Sequence, residues 1–352
     1  MRQALNQKGR QRLDPPQIKK ILIIRLRRIG DVIMTTPAIT ALRGAFPAAF
    51  ISYVVEEPYR ELVEGNPSLN KVIVLKTKQG IKDFFKLIRQ VQKENYDVVL
   101  DFHGGPRASF ITLISGAKLK LGYRIKYRNF IYDIKLPRAV KSGHIHSVEN
   151  HLNLVKALGV NVATPPPLSL PQARAEEVEK VKKFMEGYRL EGHKIITIHI
   201  SAGNEFRNWG ADNIVKLSEL LGRLPGVQIV LIGASEDHKA DEEIMKKSKT
   251  RLLSLVGKLN LREVRELISR STLFVGPDSG PMHIAASTST SIIALFGPTL
   301  PAHFSPWQAR ASLIEKNFDC RPCKQRRCIY KDFRCLRSIT PEEVFQACLR
   351  FI

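Results

Sequence analysis

Short apolar runs recur along the chain, separated by longer stretches with helical periodicity. Runs at 21–26, 50–55, 71–75 and 97–101, and again at 195–200, 227–232, 252–255, 272–276 and 291–296, are rich in Ile, Val and Leu. Each is too short for a buried helix and predicts a strand covered on both faces. Between them, 79–94 places Ile81, Phe84, Phe85, Ile88 and Val91 on one helical face, and a helical pattern returns at 173–188. Such alternation predicts parallel sheets with helices on both sides. The pattern breaks at "NVATPPPLSLPQ" (161–172), where three consecutive prolines and Pro171 make a stiff, extended connector. The reading is two α/β domains, 19–172 and 173–338, with a basic disordered tail over 1–18 closed by Pro15 and Pro16. Ligands of such sheets bind beyond the carboxyl ends of the strands, and two sheets facing each other make a cleft between domains.

Composition supports this and adds one surprise. A chain of 352 residues suits about two domains of roughly 150, and 43% hydrophobic with 25% charged residues suits a packed core. No apolar run approaches the ~18 residues of a membrane helix. The polar, basic start has no secretory signal, so a cytoplasmic protein is expected, free or lying on a membrane surface. The surprise is a net charge of +23. Such a field attracts nucleic acid, anionic lipid or phosphorylated substrates, or serves solubility alone. Aromatics are only 7% and do not interleave with the basic residues, and no nucleic-acid motif is present, which favours an anionic substrate or membrane surface. Neither a G-x-G-x-x-G after a strand nor a G-x-x-x-x-G-K-[ST] occurs, against a dinucleotide oxidoreductase or P-loop NTPase.

Candidate chemistry gathers at strand ends. "LFVGPDSGPMHIAAS" (273–287) runs from a strand through Asp278, Ser279 and Gly280 into a helix starting at Pro281, with Gly280 at the N-cap. Small residues and free N–H groups there make an anion site, or simply a well-capped turn. "LIGASE" (231–236) brings Glu236 behind a strand, to take ribose hydroxyls or to favour a helix dipole. "HISAGNEFRNW" (199–209) offers Ser201, Gly203 and Arg207, the last a ligand or a surface cation. In "RRIGDVIMTTPAI" (27–39) a glycine turn, Gly30, presents Asp31 just after Arg25, Arg27 and Arg28. Asp31 reads as a capping residue or a functional carboxylate kept ionised by the arginines. Four of five cysteines, Cys320, Cys323, Cys328 and Cys335, fall within sixteen residues as C-x₂-C-x₄-C-x₆-C. The first pair has zinc-like spacing, but the set lacks a two-knuckle form, and a reducing cytoplasm disfavours disulfides. A structural zinc, reduced thiols and a redox role stay open. Arg321, Lys324, Arg326, Arg327 and Lys331 would repel a cation and stabilise thiolates.

Together "IIRLRRIGDVIMTTPAITALR", "DFHGGPRAS", "GPDSGPMHIAAS" with "ALFGPT" behind it, and the cysteine segment ending "CLRSITPEEV" resemble glycosyltransferase family 9, the lipopolysaccharide heptosyltransferases. The resemblance covers about 20–350 and implies a GT-B fold: two Rossmann-like domains with parallel sheets facing across a cleft, and a C-terminal helix, 339–352, crossing back to the first domain. It implies an inverting enzyme that moves a heptose from ADP-heptose to the lipopolysaccharide inner core at the cytoplasmic face of the inner membrane. It needs no catalytic cofactor, and no nucleic acid or second copy is expected as partner. The resemblance makes Asp31 the general base, with Arg28 and Gly30 on the acceptor side; His103 and Arg107, just after the strand 97–101, read as acceptor-side residues as well, or as a glycine turn entering a helix that His103 caps. Ser201, Gly203, Arg207, Glu236, Val256 in the 255–257 loop, Asp278, Ser279, Gly280 and His283 would hold the donor. The family usually has a lysine where Arg207 stands; Arg keeps the charge and changes the geometry. Three rivals remain: a GT-B transferase or epimerase using another nucleotide sugar, a basic nucleic-acid-binding protein with a cysteine knuckle, and a catalytically silent scaffold, which the intact Asp31 argues against.

Overall fold

The computed structural model describes residues 18–76, 80–138 and 145–352. The tail expected over 1–18 lies, apart from Ile18, outside them. The chain divides into two compact units, Met1–Pro171 and Gln172–Ile352.

The first domain runs β1 (Lys20–Ile24), α1 (Ile29–Ile33), α2 (Thr36–Ala45), β2 (Phe50–Glu56), β3 (Lys71–Leu75), α3 (Ile81–Lys93), β4 (Val98–Asp101), α4 (Pro106–Ile114), β5 (Leu119–Tyr123), β6 (Ile134–Leu136) and α5 (Ser147–Lys156). Its six strands are all parallel, in the order β3-β2-β1-β4-β5-β6. β1 is central, and Ile21, Leu22, Ile23 and Ile24 are fully buried, which is why this strand reads as an unbroken apolar run. Burying each such side chain contributes roughly 1.5–3 kcal/mol.

The second domain runs α6 (Ala175–Gly187), β7 (Lys194–His199), α7 (Ala211–Leu221), β8 (Val227–Ile232), α8 (His238–Lys247), β9 (Leu252–Ser254), α9 (Leu261–Ser269), β10 (Leu273–Pro277), α10 (Gly280–Ala285), β11 (Ser291–Phe296), α11 (Pro301–Phe304), β12 (Ala311–Glu315), α12 (Arg334–Arg337) and α13 (Pro341–Cys348). Its parallel order is β9-β8-β7-β10-β11-β12, the first domain's order over again. In both sheets the order reverses beside the first strand: between β1 and β4, and between β7 and β10. A crevice opens at such a switch point, beyond the strand ends.

Two details differ from the sequence reading. In α3 the buried stripe is Leu87, Ile88 and Val91, whereas Phe85, placed on the apolar face by its spacing, is mostly exposed. The connector is extended but fixed to the first domain: Ser169 donates its N–H to Thr36 Oγ1 at 3.0 Å and accepts from Asn66 Nδ2 at 3.1 Å. The last helix, α13, packs on α7 and β11 of its own domain. Val344, Ala347 and Cys348 belong to the second-domain core, and Trp209 Nε1 donates to Ile339 O at 2.8 Å.

Candidate active site

The first-domain group is built at the β1/β4 switch point. A buried arginine, Arg25, directly follows β1, and the chain turns through Arg28 into α1. Asp31, in the first turn of α1, faces back along the strand. Arg25 Nη2 lies 2.6 Å from Asp31 Oδ1, and its Nη1 donates to Phe102 O at 2.7 Å. The Arg28 N–H reaches Asp31 Oδ2 at 3.4 Å. Burial alone would raise the Asp31 carboxyl; Arg25, the Arg28 amide and Arg138 outweigh it and hold the group below its ordinary value. The Asp31 side chain remains 37% exposed, so it is an ionised carboxylate within reach of a ligand. Arg28 and Gly30 shape this turn.

Across the switch point, β4 ends in Asp101, fully buried. One oxygen accepts the N–H groups of His103 at 2.9 Å and Gly104 at 2.8 Å; the other accepts the Tyr132 hydroxyl at 2.6 Å. Tyr132 is held in turn by Ser109, and Ser109 by Arg128. This buried chain shapes the "DFHGG" turn. Gly104 has φ +72°, and a Cβ there would meet Ile125 Cδ1 at 2.9 Å, so glycine is required. Burial, then Arg25 and Arg27, push the His103 imidazole down to about 4, so it is neutral at physiological pH. Its Nδ1 has no hydrogen-bond partner among the described residues. Arg107, on α4, pairs at 3.4 Å with Glu56 at the end of β2. The structure thus groups Arg28, Gly30, Asp31 and His103 round one turn pair; Arg107 is tied to a carboxylate.

The second-domain group lies at the β7/β10 switch point. The N-cap of α10 is Ser279, one residue earlier than expected; Gly280 is the first helical residue. Ser279 Oγ does not cap the helix. It is bonded to His199 Nδ1 at 3.0 Å, both residues being buried. Burial drives His199 down to about 4, so it stays neutral. Asp278 accepts from Thr299 Oγ1 at 2.7 Å, and His283 Nε2 stands 4.0 Å from its other oxygen. Arg207 donates Nη1 to Asp278 O at 3.0 Å and Nε to Gln325 Oε1 at 3.0 Å. Ser201 Oγ accepts from the Gly203 N–H at 3.3 Å, and Gly203 adopts φ +61°. The structure therefore brings Ser201, Gly203, Arg207, Asp278, Ser279, Gly280 and His283 to one strand-end cluster.

Glu236 is exposed in the turn after β8. The ordered acid of that turn is its neighbour Asp237, which accepts from the Ala234 N–H at 2.8 Å. The 255–257 loop folds against the same turn, through a Gly257 N–H to Gly233 O bond of 3.0 Å. Val256, expected as a donor contact, is fully buried in the core, so only its backbone can face a ligand.

The cysteine segment is a strap over this end of the sheet. Gln325 accepts from Asn204 as well as Arg207, the Cys323 N–H donates to Pro298 O at 3.1 Å, and Arg321 donates to Thr299 O at 2.9 Å. All five cysteines are free thiols. Burial, with Cys320 and Cys323 nearby, pushes Cys335 up to about 11, so at this cysteine burial outweighs the basic residues expected to stabilise a thiolate. Among the described residues no three His, Cys, Asp or Glu side chains are placed to hold a metal ion, so the cysteines give a structural zinc no support. Arg25, read with Arg27 and Arg28 as keeping Asp31 ionised, has that place in the structure, whereas Asp101, Tyr132, His199 and Gln325 were missed as site residues. Those four left no signal in the sequence.

Two Rossmann-like domains of one strand order, each gathering charged and small polar residues at its switch point, define an α/β protein of the GT-B-like class. Residues 84–334 match glycosyltransferase family 9 (heptosyltransferase), and the chain belongs to that family. It is a glycosyltransferase. It is 27% identical over 292 residues to lipopolysaccharide heptosyltransferase 3 of Escherichia coli K12, covering 80% of this chain and 83% of that protein. It is 28% identical over 311 residues to lipooligosaccharide heptosyltransferase 2 of Haemophilus influenzae, covering 84% and 88%. The fold is similar to a crystal structure of a family 9 glycosyl transferase from Veillonella parvula, with TM-score 0.87 and 26% identity, covering 96% and 98%.

Proposed function

We propose that the enzyme transfers a heptose, with inversion, from ADP-heptose to the lipopolysaccharide inner core, and that Asp31 is the general base. The observation that carries this reading is the Asp31 carboxylate, held ionised by buried Arg25 at a switch point yet still open to a ligand. In this reaction the acceptor hydroxyl attacks the anomeric carbon as Asp31 takes its proton, and the bond to the diphosphate breaks on the opposite face. A positioned base of this kind is typically worth about 10²–10⁴-fold. His103, neutral, can orient an acceptor hydroxyl without competing for the proton.

Negative charge grows on the departing diphosphate and needs fixed donors. The Gly280 end of α10 and the Arg207 guanidinium supply them. Arg207 enters already aimed, because Gln325 and Asp278 fix it. Glu236 takes the ribose hydroxyls, and the 255–257 backbone passes the base. The +23 charge suits an acceptor rich in phosphate and acidic sugars. No helix among the described residues is long and apolar enough to cross a membrane; we assign the monomeric enzyme to the cytoplasmic membrane surface, where the acceptor's lipid anchor lies.

The test is a panel of nucleotide sugars offered with truncated lipopolysaccharide cores. ADP release with a heptose mass increment on one core, and none with UDP- or GDP-sugars, supports the reading. Turnover with another nucleotide sugar alone overturns it.

A further inference from the structure

We infer that α3, α4 and the neighbouring turn around Tyr127 form a face that docks on an anionic lipid surface. Among the described residues eleven large hydrophobic side chains are exposed, and five of them fall here. They are Phe85 on α3 (57% exposed), Phe110 and Leu113 on α4 (44% and 42%), and Tyr127 and Phe130 (82% and 64%). The three elements are neighbours. α3 packs on α4, α4 packs on the short turn Asn129–Ile131, and Phe110 stacks on Phe84 with centroids 5.9 Å apart. Phe110 and Leu113 stand three residues apart on their helix and so share a face. An apolar concentration of this kind on a surface marks an interaction site.

The surrounding charge selects the partner. From 103 to 138 the chain has eight Lys or Arg residues and a single acid, Asp133. On α3, Lys82, Lys86, Arg89 and Lys93 are exposed beside Phe85. Lys126 lies over the Tyr127 ring, 4.9 Å from its centroid. Protein interfaces exclude Lys from their apolar centres. Aromatic side chains set among lysines match the membrane interface, where rings enter the headgroup layer and cations meet anionic lipid. The choice of lipid over another polyanion rests on the proposed reading, in which the acceptor is membrane-anchored; the exposed face itself does not.

The test is sedimentation of the full chain with phosphatidylcholine vesicles, with and without phosphatidylglycerol, beside turnover on a water-soluble truncated core. The wild type should bind only vesicles that contain phosphatidylglycerol. The triple variant Phe85→Ser, Leu113→Ser, Tyr127→Ser and the charge variant Lys82→Glu, Lys86→Glu, Lys126→Glu should each bind about tenfold more weakly or worse. Both should keep the wild-type melting temperature and soluble-core turnover. The pair Ile329→Ser, Tyr330→Ser, on the exposed strap of the second domain, should bind vesicles like the wild type. No binding to anionic vesicles, binding untouched by both first-domain variants, or loss caused by the strap pair instead would overturn the inference. So would RNA binding that competes with vesicles and falls in the same variants. The vesicle arms decide this question whatever the turnover arm gives; an inactive wild type counts against the proposed reaction alone.

Discussion

Replacing Arg25 by Met keeps a buried, unbranched side chain and deletes its charge. Two bonds go with it, to Asp31 Oδ1 at 2.6 Å and to Phe102 O at 2.7 Å. At 2.6 Å the bare attraction is about 6 kcal/mol with an effective dielectric near 20 and about 1.6 kcal/mol in water. Asp31 is 37% exposed, so the net coupling belongs toward the aqueous end, about 1.5–3 kcal/mol for a hydrogen bond between charged groups. The consequence is sharper for protonation than for stability. Burial pushes the Asp31 carboxyl up, and Arg25 is the leading force holding it down. Without Arg25 the carboxyl protonates at higher pH, so the acid limb of kcat/KM moves upward in Arg25→Met. Arg25→Lys, which keeps the charge and loses the fork, should fall between. Stability follows the same sign. A depressed carboxyl stabilises the fold above its ordinary value of 3.8 and loses that contribution as pH falls through the depressed one. The deficit of Arg25→Met is therefore largest near neutrality and shrinks in acid. An acid limb that superimposes on the wild type would refute this account of how Asp31 is kept ionised.

Other outcomes follow from single contacts. Asp101→Asn keeps an oxygen for the His103 and Gly104 N–H groups and an amide for Tyr132, so it should melt close to the wild type, whereas Asp101→Leu strands those donors and should lose about 2–4 kcal/mol. Gly122→Ala puts a methyl group 2.4 Å from the Tyr132 ring and should lower stability by about 1–3 kcal/mol in thermal unfolding. Cys335, pushed up to about 11, and Cys348, pushed up to about 12 by burial, should resist alkylation at neutral pH, read by mass spectrometry of the folded protein; rapid labelling would contradict the packing.

Interior strands were legible because both faces are largely buried: the runs at 227–232 and 291–296 coincide with β8 and β11. β5 and the edge strand β12 were not. β5 interrupts its apolar residues with Lys120 and Gly122, and β12 alternates half-exposed residues, so neither forms an apolar block. At the site, the "GD" and "GPDSGP" turns announced themselves because glycine and proline at a strand end leave few other readings. The residues that hold those turns were silent. Asp101 looks like any acid ending a strand, and its partner Tyr132 is 31 positions away. Gln325 reaches Arg207 across 118 positions from a segment whose cysteines drew attention to metal rather than to packing. Periodicity reports which face is buried; it does not report which distant polar group meets it.

The most direct test of the account is Asp31→Asn, measured for ADP-heptose affinity and for single-turnover heptose transfer in parallel. Asn keeps the shape of the side chain and cannot take the proton. The account predicts unchanged donor binding and transfer slowed about 10²–10⁴-fold. Transfer within a few-fold of the wild type would contradict Asp31 as the base.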